Sequence, residues 1–337
     1  MSERAEGPTT VESERAIQLL REMVRLRAFD EAVAERFEAG EIPGNPHLCF
    51  GHEGSHAAIG AAIRDEDWWV VGGARQDTQF VARGLTTNEV MAEIYGKATG
   101  SNGGRGGPMH VSNVDENFYG HAATIGSPQN PAAGIALAQQ MLDTGNVVVC
   151  TVGDGGTSRG SFHTALVLAA TWDLPVVYVV ENNQWAISVS RDVLPTEQLS
   201  DYGKPVGLHT ETVDGTDPLA AYDAIRDAVE RARDGGGASV VECELYRMAP
   251  HSGRDDERYR DPAEKRRAST EGDPVSNLKR ALLESGRLDQ ADVEAMVDEA
   301  TAEVESAVEF ARESDWPDPE DLYEHVFVEP LYGQGGN

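Results

Sequence analysis

Cysteine is scarce in this chain. Cys49, Cys150 and Cys243 lie far apart with no CxxC pair, which excludes a disulfide framework and a cysteine-based zinc site. Lysine occurs only at Lys97, Lys204, Lys265 and Lys279, so nearly all positive charge is arginine. Positive charge is itself outnumbered: 28 basic against 58 acidic side chains leave a formal net charge of −30 at pH 7. Such a polyanion repels nucleic acid and anionic membrane surfaces, so neither is expected as a partner. No apolar run reaches roughly 18 residues, so no segment reads as a membrane-spanning helix. The polar, acidic start MSERAEGPTTVESE is unlike a signal peptide. These absences point to a cytoplasmic chain.

What is present is apolar material for a real core, with 40% hydrophobic residues over 337 positions. The acidic residues run from Glu3 to Glu329 without forming one block. That spread suits general surface acidification, which keeps a protein hydrated in high salt, better than a single docking face. A salt-adapted protein is the expectation.

Along the chain, residues 1–12 read as a loose tail and 13–330 as a single α/β domain, with 331–337 fraying. Apolar residues at helical spacing predict a helix from Ser13 to about Ala39, and small residues predict another over roughly 56–63. Residues 100–128 form a long Gly- and Asn-rich loop, a kind usually functional inside a compact domain. A helix over about 131–142 follows. NVVVCTV (146–152), PVVYVV (175–180) and ASVVECEL (238–245) are short apolar runs, as expected of parallel strands covered on both faces. Helices over 161–171 and 218–233 alternate with them, and 275–315 is a charged helical region. The alternation predicts a doubly wound, mostly parallel sheet flanked by helices.

Two polar clusters stand at strand ends, where open α/β sheets bind ligands. One is Gly153-Asp154-Gly155-Gly156; the other is Glu181-Asn182-Asn183. Glycines at a helix start expose backbone N–H groups to phosphate oxygens. Asp154 would repel a phosphate in that turn, and a divalent cation between the two removes the conflict. Magnesium takes carboxylate, amide and carbonyl oxygens. Asp154 and Asn183, 29 residues apart, offer two, and a backbone carbonyl near Trp185 is a third candidate. A nicotinamide-binding turn fits poorly, because the third glycine of its fingerprint falls on Ser158.

The spacing GDG, about thirty residues, NN resembles the thiamine diphosphate signature. From about Leu19 to Phe327 the chain is similar to the α subunit of the thiamine-dependent component of 2-oxo acid dehydrogenase complexes, the pyruvate, branched-chain and acetoin enzymes. HLCFGHEG (47–54) resembles that family's HLxxGQEA, with His52 where Gln is usual, and implies that His47 reaches the cofactor diphosphate. GRGGPMH (104–110) resembles its glycine-rich loop. NFYGHAATIGSPQNPAAG (117–134) resembles the segment beneath the cofactor rings, where Ala123 offers its backbone and Ile125 the bulky prop; an ordinary core residue reads the same at Ile125. ECELYRMAPHSGRDDERYRDP (242–262) resembles the late active-site loop. It implies Arg247 on the diphosphate and His251 on the cofactor and reacting substrate, with Ser252 where some members are phosphorylated. Arg75 survives from the family's Tyr-Arg pair, but Ala74 replaces the tyrosine, and Asp77 stands where His or Ala is common.

The resemblance implies thiamine diphosphate and Mg2+ as cofactors, held by His47, Arg75, Ala123, Ile125, Asp154, Gly155, Gly156, Asn183, Arg247 and His251, with Asp154, Asn183 and Trp185 on the metal. It implies oxidative decarboxylation of a small 2-oxo acid and acyl transfer to the lipoyl acyltransferase component. No glutamate here stands in a pyrimidine-binding context, so a β subunit completes the site in an α2β2 heterotetramer. An acetoin dehydrogenase α subunit and a non-catalytic assembly subunit are the alternatives. Transketolase-like enzymes carry both cofactor domains in a much longer chain.

Overall fold

A computed structural model describes residues 10–120 and 124–323. The chain opens with α1 (Thr10–Glu38) and α2 (Glu53–Ala62), then β1 (Trp68–Val70), α3 (Asp77–Arg83), α4 (Thr87–Ile94) and β2 (Phe118–Tyr119). Its centre is α5 (Gln129–Met141), β3 (Val148–Gly153), the single turn α6 (Asp154–Thr157), α7 (Gly160–Thr171) and β4 (Val176–Asn182). A small hairpin, β5 (Trp185–Ala186) and β6 (Val189–Ser190), precedes β7 (His209–Asp214), α8 (Pro218–Arg233) and β8 (Ser239–Glu244). Helices α9 (Pro262–Thr270), α10 (Pro274–Glu284) and α11 (Gln290–Glu313) follow.

Six strands form one sheet in the order β2-β1-β3-β4-β8-β7, and every pairing in it is parallel. The unbroken apolar runs of β3 and β4 are explained by cover on both faces. Val149, Val177 and Val179 join the core built with α1, α2, α8 and α11. Their neighbours Val148, Cys150, Val152, Val176, Tyr178 and Val180 join the core built with α5 and α7. Each fully buried Val or Leu contributes about 1.5–3 kcal/mol, so these two layers dominate the drive to form the sheet. The crossover through α7 (β3 to β4) and that through α8 (β7 to β8) run in opposite directions across the sheet. Right-handed connections then place the two helices on opposite faces. The fold is the doubly wound α/β arrangement the strand pattern predicts.

Three elements differ from the sequence reading. The helical stretch after 275 is two helices, broken where Gly286 takes φ +66° and restarted by an Asp289–Asp292 capping box. Strand β7 (HTETVD) is polar except for Val213 and lies at the sheet edge, which is why no apolar run announces it. The glycine-rich stretch after residue 100 is anchored. The fully buried Glu93 carboxylate of α4 accepts the backbone N–H groups of Asn102, Gly104, Gly106 and Gly107 at 2.8, 2.9, 2.6 and 3.2 Å. No helix among the described residues is long and apolar enough to cross a membrane.

Candidate active site

The carboxyl ends of three neighbouring strands meet at one cavity of about 290 Å3. Gly72–Arg75 leave β1, Gly153–Gly156 leave β3, and Glu181 and Asn183 end β4; all of them line it. Close approach, more than backbone twist, requires glycine here. A Cβ on Gly72 would lie 2.1 Å from the Thr151 carbonyl, and one on Gly155 2.6 Å from the Ala186 Cβ.

Asp154 opens α6 and is 3% exposed. Its Oδ1 accepts the Gly155 N–H at 2.7 Å, while Oδ2 is buried without a partner among the described residues. Burial raises its pKa to about 6, against the Gly155 N–H and the charges of Arg247, Arg191 and Arg75. A carboxylate in this state is poised to gain from a cation. Asn183 is 7% exposed; its Oδ1 accepts the Trp185 N–H at 3.2 Å and its Nδ2 lies 3.0 Å from His52 Nε2. The structure thus brings Asp154, Asn183 and Trp185 to one cavity wall.

The basic side chains expected at the site divide into two groups. Arg75 and His251 line the cavity. Arg247 is 1% exposed and lies behind the wall, donating to the Ile187 carbonyl and the Tyr259 hydroxyl, both at 2.7 Å. Through that first bond it holds the β5–β6 hairpin over the cavity, with Ile187 at φ +56°, a conformation costly for a β-branched residue. Arg75 donates to the carbonyls of Leu48, Pro250 and His251. Burial pushes the Arg75 guanidinium down to about 10, with Arg247 adding to the effect. The His251 imidazolium is pushed down to about 4, by burial first and then by Arg75 and Arg247. His47 packs edge-on against His251 with ring centroids 4.8 Å apart, outside the cavity lining. Ile125 lines the wall beside Gly156. Ala123 lies outside the described residues.

Helix α1 sets the position of the histidine-bearing loop. Asp30 Oδ2 accepts the Cys49 N–H at 2.5 Å, Glu53 accepts the Gly51 N–H at 2.8 Å, and Arg27 bridges Glu53 and Asp273 at 2.5 and 2.9 Å. Asp30 is fully buried, and burial with the nearby Glu53 raises its value from the ordinary 3.8 to about 8. The folded chain therefore keeps a proton that the unfolded chain has lost. Its stabilising contribution is full below 3.8 and is lost as pH rises through about 8. Asp30→Asn removes that dependence. The melting temperature of the wild type should fall more steeply than that of the variant between about pH 6.5 and 8.5, by a few degrees in calorimetry. Parallel slopes would refute the protonation of Asp30.

Sequence reasoning missed a buried relay beside the cavity. Glu181 accepts the Ser55 hydroxyl at 2.7 Å and lies 2.9 Å from His56 Nε2, while His56 Nδ1 pairs with Thr78 Oγ1 at 2.7 Å. Burial works to raise the Glu181 carboxyl, but His56, His52 and Ser55 outweigh it and hold it below its ordinary value. Burial takes His52 itself down to about 3, against the pull of Glu181. The signal was the charged residue ending the otherwise apolar β4.

A cavity at the carboxyl edge of an open parallel sheet, lined by three strand ends, is the architecture of a doubly wound α/β enzyme. Comparison with known proteins narrows this class. The family described as dehydrogenase E1 component matches residues 21–320. The chain is 35% identical to the α subunit of the acetoin:2,6-dichlorophenolindophenol oxidoreductase of Bacillus subtilis, covering 99% of this chain and 98% of that one. It is 31% identical to the pyruvate dehydrogenase E1 component α subunit of Rickettsia bellii, covering 94% and 96%. With the chloroplastic pyruvate dehydrogenase E1 α-3 subunit of Oryza sativa subsp. japonica the identity is 34%, covering 97% and 79%. The chain belongs to the dehydrogenase E1 component family, as an α subunit of the 2-oxo acid dehydrogenase class of oxidoreductases. Membership implies thiamine diphosphate as cofactor and a β subunit as partner.

Proposed function

We propose that this chain holds the diphosphate and Mg2+ of thiamine diphosphate in an α2β2 dehydrogenase that decarboxylates a 2-oxo acid and passes the acyl group to a lipoyl acyltransferase. The observation that carries this reading is the unpartnered, buried Asp154 oxygen beside Asn183 at the ends of β3 and β4. That donor set, one carboxylate and one amide oxygen with room for phosphate and water, suits magnesium. Bound thiamine diphosphate supplies the electron sink for decarboxylation. The chain's own residues do the rest. Arg75, with Arg247 behind it, makes a positive island that offsets the anionic cofactor on a chain of net charge −30. Neutral His251 accepts or donates a proton at the reacting substrate, and the Arg247-held hairpin limits water.

A second reading, acetoin as substrate, is favoured by the 35% identity to the Bacillus subtilis acetoin chain over nearly the whole length. Both readings are tested by reconstituting the chain with its β subunit and measuring dye reduction with pyruvate, branched-chain 2-oxo acids and acetoin. Neither subunit alone should turn over. Full activity of the isolated chain would defeat the shared-site reading, and an assembled tetramer inert with every substrate would favour a non-catalytic assembly subunit. The assay belongs in molar KCl as well as dilute buffer, because the surface acidity predicts a salt-adapted enzyme. Activity confined to dilute buffer would remove that prediction.

A further inference from the structure

The residue at 52 is a histidine buried to 1% exposure at the start of α2, and its ring meets Asn183, not solvent. The orientation of the Asn183 amide follows from its other contact. The Trp185 backbone N–H can only donate, so the atom receiving it at 3.2 Å is Oδ1. The remaining Nδ2 can also only donate, and it lies 3.0 Å from His52 Nε2. His52 must therefore offer a lone pair at Nε2, which places its single ring proton on Nδ1. Its backbone keeps the ring in place: the N–H donates to the Cys49 carbonyl at 2.8 Å, and the carbonyl accepts the His56 N–H at 3.0 Å.

We propose that His52 is a positioning residue whose Nε2 lone pair locks the Asn183 side chain with its oxygen, and not its NH2 group, available to the cation shared with Asp154. This rests on the cation reading of the site given above. Flipping the amide would set NH2 against the Trp185 N–H and would force the His52 ring proton from Nδ1 to Nε2 to meet the carbonyl oxygen. The Trp185 hydrogen bond would be lost, about 1–3 kcal/mol for the groups left unsatisfied. Asp154 meets no such ambiguity, because both its carboxyl atoms are oxygens. The lock is needed only on the amide side of the pair.

The test uses the chain assembled with its β subunit and two variants. His52→Leu removes the acceptor, whereas His52→Gln restores one through its side-chain carbonyl. Mn2+ affinity in the presence of thiamine diphosphate, read by electron paramagnetic resonance, should weaken roughly 10- to 100-fold in His52→Leu and be regained in large part by His52→Gln. In wild type with 15N-labelled histidine, the resonance that vanishes in His52→Gln should show an unprotonated Nε2 and a protonated Nδ1. This second measurement requires no metal and stands even if His52→Leu fails to fold. An Nε2-protonated ring, or a folded His52→Leu with wild-type Mn2+ affinity, overturns the inference. A wild-type assembly that binds neither Mn2+ nor thiamine diphosphate overturns instead the functional reading, while the ring tautomer still decides whether His52 holds Asn183.

Discussion

Asp154→Ala should abolish magnesium-dependent binding of thiamine diphosphate. The carboxylate is 3% exposed, one oxygen is engaged by the Gly155 N–H and the other has no partner among the described residues. Burial holds its value up at about 6, above the ordinary carboxyl, so the anion gains from a cation brought beside it. Removing the carboxylate leaves Asn183 as the sole side-chain oxygen donor of the proposed set, and a neutral amide cannot offset a divalent cation. Calorimetric titration of cofactor, with and without Mg2+, should show affinity falling by well over ~100-fold, beyond what loss of a supporting group costs. The fold should survive, since the variant relieves a buried, partly unpaired polar group. Unchanged cofactor affinity would overturn the metal assignment.

His251→Ala should separate binding from chemistry. The side chain lines the cavity, its own N–H donates to Asp255 at 2.9 Å, and its carbonyl accepts from Arg75 at 3.4 Å. These contacts are made by the backbone, so alanine keeps the loop in place. What alanine removes is a ring that stays neutral at physiological pH because burial, Arg75 and Arg247 push its imidazolium down to about 4. A neutral imidazole can accept a proton or a hydrogen bond at one nitrogen and donate at the other. Cofactor binding should persist while acyl transfer to a lipoyl acceptor falls by roughly 10²- to 10⁴-fold, the usual worth of a general acid–base group. Since the ring titrates near 4, the variant should also lose an acidic limb of the pH–rate profile in that range. Normal transfer in the variant would remove His251 from the mechanism.

Much of the sheet was legible because its central strands are covered twice. Val148–Val152 and Val176–Val180 read as strands from composition alone, and the polar residues that end them mark the cavity. Strands β1 and β2 were not legible, being three and two residues long. The pairing of β1 with β3 on one side and with β2 on the other is a tertiary event that leaves no periodicity to read. Arg247 shows the same limit at the level of one residue. Its presence near the site was expected, but its contacts with Ile187 and Tyr259, which place it behind the wall, depend on how the loop after β8 folds back.

The sequence by itself determined the class of fold, the two strand ends that carry Asp154 and Asn183, and the sign of the surface. Those properties are local: an apolar run, a glycine turn and a count of charges need no neighbours to be recognised. Only the tertiary structure decided which groups share the cavity and in what protonation state. Asp30, His52, Asp154 and Glu181 are ordinary titrating residues in the sequence, and each is moved by burial and by partners distant along the chain. Desolvation and charge pairing act through space, over a few ångströms, and chain order does not encode those distances until the sheet has brought its strand ends together.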